Sequence, residues 1–125
     1  MKPPARAGSF WQSLAFALAG MRHAIRSQRN LRIHITIAVA VVIAGFALGI
    51  SRTEWAVVVT LIALVIGLEL LNTAIETLVD LASPEPHSLA KVAKDTAAGA
   101  ILVAALGSAA AGLIIFLPRL WQIFS

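Results

Sequence analysis

No cysteine occurs among the 125 residues, so neither a disulfide framework nor a thiolate metal site can form, and the redox compartment leaves no trace. Charge is scarce as well, at 13% of residues against 59% apolar, with a mean hydropathy of +0.88. Those values lie far from the averages of water-soluble domains and make the bilayer this chain's solvent. Alternating strand patterns are absent, which excludes a transmembrane β-barrel and leaves helices to satisfy the backbone inside lipid. Neither G-x-x-x-x-G-K-S/T nor G-x-G-x-x-G after a strand is present, so no familiar phosphate-cradling loop can be invoked. The net charge of +4 is grouped rather than general, with Lys2, Arg6, Arg22, Arg26, Arg29 and Arg32 all ahead of the first apolar run, and no nucleic-acid partner is expected.

What is present is three apolar segments. The first runs from Ile33 to Ile50, interrupted by His34. The second runs from Trp55 through Leu68 and continues with helical periodicity through a polar stretch to Ala82. The third, Ala97 to Leu117, carries no charge and ends at Pro118-Arg119. Trp55 and Trp121 are expected as interfacial anchors on one membrane face. The expected architecture is a single all-α membrane domain over 1–125, with spans at about 31–50, 54–82 and 88–118. Arg22, Arg26, Arg29 and Arg32, with Lys91 and Lys94, outnumber Arg52 and Arg119 on the opposite side, so the N-terminus and second loop are expected in the cytoplasm.

Ahead of the first span, Phe10, Leu14, Ala17, Leu18, Met21, Ala24 and Ile25 share one side of a helical wheel and Gln12, Arg22, His23, Arg26 and Arg29 occupy the rest. That periodicity predicts an amphipathic helix over about 9–28 on the membrane surface, rather than a signal peptide. Gln28 falls on its apolar side, where it either caps the helix end or points at something inside the protein.

The stretch from Glu69 to Asp95 carries the chemistry. Glu69, Asn72, Glu76 and Asp80 stand at i, i+3, i+7 and i+11, one stripe of a helix. The stripe extends about 16 Å from the cytoplasmic boundary inward, with Glu69 at the deep end. An ionisable residue at depth costs roughly 2.5–3.5 kcal/mol on insertion scales, so it normally faces the bundle interior and marks a functional path. Beyond it, Ser83-Pro84-Glu85-Pro86-His87 breaks the helix, and the next helix opens with Lys91, Lys94, Asp95 and Ala98 on one side. A short hairpin brings these antiparallel to Glu76 and Asp80. Carboxylates, an amide and a lysine suit Mg²⁺–nucleotide chemistry. An ordinary salt bridge of Lys94 with Asp80 or Glu76 is the competing reading, and a proton or cation relay through Glu69 and Glu76 in a non-enzymatic membrane subunit is another.

The string Glu69-Leu-Leu-Asn72-Thr-Ala-Ile-Glu76-Thr-Leu-Val-Asp80, followed by His87 and Ala90-Lys-Val-Ala-Lys94-Asp95-Thr-Ala-Ala-Gly99, resembles the signature of the prokaryotic diacylglycerol kinase family. Gly20-Met-Arg22, Arg29-Asn-Leu-Arg-Ile-His34, Ile50-Ser-Arg-Thr-Glu-Trp55 and Phe116-Leu-Pro118 extend the resemblance over nearly the whole chain. The Arg-Ile-His and Ser-Pro-Glu-x-His forms are most similar to the undecaprenol kinase branch. The resemblance implies a homotrimer with shared sites in the bacterial inner membrane, transferring the γ-phosphate of MgATP to undecaprenol or diacylglycerol. It implies Glu69 as general base; Glu76 as metal ligand; Asn72 and Asp95 in support of the nucleotide site; Lys94 on the transferring phosphate; and Glu85, His87 and Phe16 beside the nucleotide. Arg32 and Ala98 would join Glu69 at the lipid substrate. Family members often carry a second metal-binding glutamate where this chain has Gln28, whose amide oxygen can still ligate Mg²⁺. Gly45 and Gly49 form a G-x-x-x-G pair, and Gly99, Gly107 and Gly112 dot the third span; helix association between chains and packing within one chain both account for them.

Overall fold

The computed structural model describes residues 8–125; Lys2 and Arg6 lie outside the described residues. Four helices follow one another: α1 (Phe10–Ser27), α2 (Arg29–Leu48), α3 (Arg52–Ala82) and α4 (Ser88–Phe124). The last three are long and apolar enough to cross a membrane, in agreement with the three spans read from the sequence.

Local chemistry sets each boundary. Ser9 caps α1 by accepting from the Gln12 backbone N–H at 3.2 Å. A single extended residue, Gln28, separates α1 from α2, so α2 begins at Arg29. α2 stops at Gly49, whose φ of 62° lies in the left-handed region that glycine enters without a Cβ penalty. Two residues later α3 starts on a capping box: Ser51 Oγ accepts from the Glu54 N–H at 3.2 Å, and Glu54 Oε1 accepts from the Ser51 N–H at 2.8 Å. Pro84 and Pro86 hold the α3–α4 loop open, and His87 Nδ1 caps α4 by accepting from the Leu89 N–H at 3.0 Å.

Beyond the end of its apolar run, α4 continues through Pro118 to Phe124. The proline removes one backbone donor, the one that would reach the Ile114 carbonyl, and the bonds on either side carry the helix on. The Trp55 ring packs against α2, with its centroid 4.7 Å from that of Phe46, while Trp121 stays 74% exposed.

α3 packs most extensively on α4 and next on α2, and α1 touches both α2 and α3. The buried cluster is small, Ile50, Val58 and Ile115, flanked by Val41, Trp55, Ile62 and Phe116 at the end of the bundle away from the α3–α4 loop. Long apolar side chains such as Ile43, Phe46, Val103 and Ile114 face outward, which suits a hydrocarbon surround. Close approach replaces volume in the packing of α2 on α3: a Cβ on Gly45 would stand 2.7 Å from the Trp55 ring. The G-x-x-x-G pair thus has two separate intrachain jobs, a seat for Trp55 and a helix stop. The same end is tied by Arg119, which pairs with Glu54 and donates to the Gly49 carbonyl, joining the ends of α2, α3 and α4. With 31 and 37 residues, α3 and α4 are about 46 and 56 Å long, well beyond a hydrocarbon core of ~30 Å. Their excess length carries the polar residues out of the membrane at the loop end.

Candidate active site

The polar stripe of α3 divides by depth. Glu69 is 2% exposed and Asn72 8%, both turned into the bundle. From α2, His34 Nε2 approaches Glu69 Oε1 to 3.2 Å, short of the alignment of a hydrogen bond, and Oε1 has no hydrogen-bond partner among the described residues. The neighbouring polar groups are committed elsewhere. Thr73 Oγ1 donates to the Glu69 backbone carbonyl at 3.0 Å, and Asn72 Nδ2 donates to Glu76 Oε1 at 3.3 Å.

One level out, Gln28 Nε2 donates to the other Glu76 oxygen, Oε2, at 3.4 Å. Both readings of Gln28 are present: its backbone N–H closes α1 on the Ala24 carbonyl at 2.9 Å, and its side chain, which makes no cap bond to α2, turns inward. Glu76 thus sits between two amides, Asn72 of its own helix and Gln28 of the α1–α2 junction, and the buried Asn72 Oδ1 is left without a partner among the described residues. An unpaired amide oxygen beside a carboxylate is a donor set that suits Mg²⁺, with Gln28 Oε1 in reach once its amide turns. Among the described residues no group of three His, Cys, Asp or Glu side chains could hold a metal by itself. Gln28, Asn72 and Glu76 therefore fit a cation that also takes ligands from a bound phosphate.

At the outer level, Asp80 belongs to the stripe by angle but points to solvent, where it pairs with Lys94 at 2.5 Å. The interhelical salt bridge weighed from the sequence is therefore present. Lys91 and Asp95 pair along α4 at 2.5 Å. Asp80, Glu85, His87, Lys91, Lys94 and Asp95 line a cavity of about 600 Å³ at the loop. Four of the expected nucleotide residues, Glu85, His87, Lys94 and Asp95, thus share one space.

Other expected residues are placed apart. Phe16 is 59% exposed on α1 and does not line the loop cavity. Ala98 is exposed on α4. Arg32 donates to the Ile25 and Arg26 carbonyls, both at 2.9 Å, satisfying the C-terminal carbonyls of α1. His34 is the residue that the sequence signalled without being assigned a role: an ionisable side chain inside an apolar run. It also lines an apolar cavity of about 270 Å³ between α2, α3 and α4, in which Ser108 is the other polar side chain.

With this geometry in view, the chain can be set beside known proteins. The sequence model of the prokaryotic diacylglycerol kinase family matches residues 15–116. Undecaprenol kinase of Bacillus subtilis is 47% identical over 111 residues, covering 89% of this chain and 90% of that protein. Diacylglycerol kinase of Synechocystis is 45% identical over 109 residues, 86% of this chain and 62% of that protein. Diacylglycerol kinase of Pseudomonas aeruginosa is 38% identical over 89 residues, 71% of this chain and 72% of that protein. The matched range runs from α1 through the buried glutamate and the loop cavity to Phe116 in α4, and by it the chain belongs to the prokaryotic diacylglycerol kinase family.

Proposed function

We propose that this chain is an ATP-dependent kinase of a membrane lipid alcohol, undecaprenol in preference to diacylglycerol, acting as one integral membrane domain. The observation that carries it is the buried Glu69 carboxylate directly beneath the Gln28–Asn72–Glu76 cluster, on a helix that leads out to the loop cavity. A relay of protons or cations needs the carboxylates but not the polar loop cavity, and it has no support among relatives named as kinases.

Glu69 accepts the proton of the lipid hydroxyl as that oxygen attacks the γ-phosphorus and the bond to the β-bridging oxygen breaks, so ADP leaves and the lipid phosphate forms. Depth serves this role, because a lipid presents its hydroxyl at the headgroup boundary while its tail stays in hydrocarbon. Glu76, Asn72 and Gln28 hold Mg²⁺, which when bound neutralises charge on the nucleotide phosphates. Lys94 turns from Asp80 to the transferring phosphate; Asp95, Glu85 and His87 border the nucleotide, and Phe16 meets the adenine. Arg32 and Ala98 border the lipid headgroup. The work is positioning and charge neutralisation.

α1, with Phe10, Trp11, Phe16 and Leu18 exposed, lies in the headgroup region as an amphipathic surface helix. The end bearing Arg22, Arg26, Arg29, Arg32, Lys91 and Lys94 faces the cytoplasm of a bacterial inner membrane; at the other end Arg119 is already paired with Glu54. A homotrimer with shared sites is supported by an exposed stripe on α3, Val57, Leu64, Leu71 and Leu78, at seven-residue spacing. On α4, a Cβ at Gly99 or Gly107 would meet nothing within 4 Å, which leaves room for a neighbouring helix. The test is transfer of labelled γ-phosphate from MgATP to undecaprenol and dioleoylglycerol supplied together in lipid micelles. Labelled undecaprenyl phosphate in excess is expected; no labelled lipid would refute the kinase, and excess phosphatidate would reverse the substrate order.

A further inference from the structure

Glu69 needs more than depth to act as a base: its carboxylate must be held toward the incoming hydroxyl. Neither of its polar neighbours on α3 does so, because the Asn72 amide serves Glu76 and the Thr73 hydroxyl serves the Glu69 main-chain carbonyl. A buried carboxylate with no donor pays a heavy desolvation cost, so a group from another helix is required.

α2 supplies it. Gln28 at the start of α2 touches Glu76, and six residues deeper His34 stands 3.2 Å from Glu69, which is seven residues deeper on α3. The corresponding rises, about 9 Å on α2 and about 10.5 Å on α3, match for antiparallel helices. One helix pairing therefore sets a polar side chain of α2 against each inward carboxylate of α3. The imidazole also lines the apolar cavity between α2, α3 and α4. Its present approach to Oε1 is imperfectly aligned, as is common before substrate binds.

We propose that His34 is a positioning residue that orients the Glu69 carboxylate, with Nε2 holding Oε1 so that the other oxygen faces the lipid hydroxyl. This rests on the lipid kinase reading above. Displacement of a reacting group by about 1 Å costs on the order of 100-fold in rate, and His34→Leu is expected to lower kcat by about that factor. The loss falls on the oriented base and not on nucleotide binding, so KM for MgATP stays within roughly twofold. His34→Gln places an amide N–H near the position of Nε2 and is expected to restore kcat to within about tenfold of wild type, whereas the shorter His34→Asn does not reach.

The experiment measures kcat and KM for MgATP in the full chain, wild type and these variants, in lipid micelles with undecaprenol as acceptor. Fold is checked by size-exclusion profile and thermal melting. A wild-type kcat in folded His34→Leu overturns the proposal, as does a fall in kcat matched by a rise in KM. If His34→Leu does not fold, the Gln and Asn variants decide: activity in Gln but not Asn supports orientation through Nε2, and equal activity or the reverse order overturns it. An inactive wild type, by contrast, would remove the kinase reading itself.

Discussion

Replacing Gln28 by glutamate changes the polar cluster by a single atom and tests whether it is a metal site. Gln28 Nε2 now donates to Glu76 Oε2 at 3.4 Å, and Gln28→Glu exchanges that donor for a second carboxylate oxygen. Two unit charges at that 3.4 Å separation repel by about 5 kcal/mol at an effective dielectric constant of ~20. Both residues are only half-buried, so water and salt reduce the repulsion to about 1–2 kcal/mol. A cation bound between the carboxylates removes that repulsion, and the strain of the metal-free form reappears as tighter binding, about 5–30-fold. The assay is initial rate against free Mg²⁺ at saturating ATP, paired with thermal melting with and without Mg²⁺. The variant is expected to reach half-maximal rate at about a tenth of the wild-type Mg²⁺ concentration, and to melt lower than wild type only without metal. An active variant with unchanged Mg²⁺ dependence would refute a ligand role for Gln28.

Three further outcomes follow from the geometry. Gly45→Ala drives a methyl group against Trp55 and is expected to destabilise the protein by about 1–3 kcal/mol, read as a lower melting temperature, with an unchanged KM for MgATP because the contact lies at the opposite end of the bundle. Asp80→Asn releases Lys94 from an exposed, solvent-screened ion pair, so melting should hardly change, while Lys94→Met should lower kcat by about tenfold or more. On oxidation in membranes, a cysteine placed at Leu64 or Leu71 should give disulfide-linked pairs of chains, since each chain then offers one thiol; monomers alone would argue against that face as the interface.

Much of this molecule is written in simple periodicities. Apolar run lengths predict three spans, Pro84 and Pro86 predict the break before α4, and the i, i+3, i+7 spacing predicts that Glu69, Asn72 and Glu76 turn together into the bundle. Asp80 shows where spacing stops being sufficient. It shares their angle, but α2 begins at Arg29, level with Glu76, so the helix that covers the deeper carboxylates has ended before Asp80. Partnerships between helices are the other hidden part. No pattern within one segment pairs His34 with Glu69, seats Trp55 on Gly45, or sends Arg32 back to the end of α1, because each depends on how helices meet after the turns. Pro118 is a case where local propensity loses, since one missing backbone bond is outweighed by those around it.

The central claim is that Glu69 takes the proton of a lipid hydroxyl while other residues hold the nucleotide. The most direct measurement sets Glu69→Gln beside wild type in lipid micelles, with MgATP binding and phosphate transfer to lipid recorded on the same samples. Gln fills nearly the same buried volume but cannot serve as the base, so turnover should fall by about 10²–10⁴-fold with nucleotide affinity unchanged. Turnover near the wild-type level, or loss of nucleotide binding in step with turnover, would contradict that assignment.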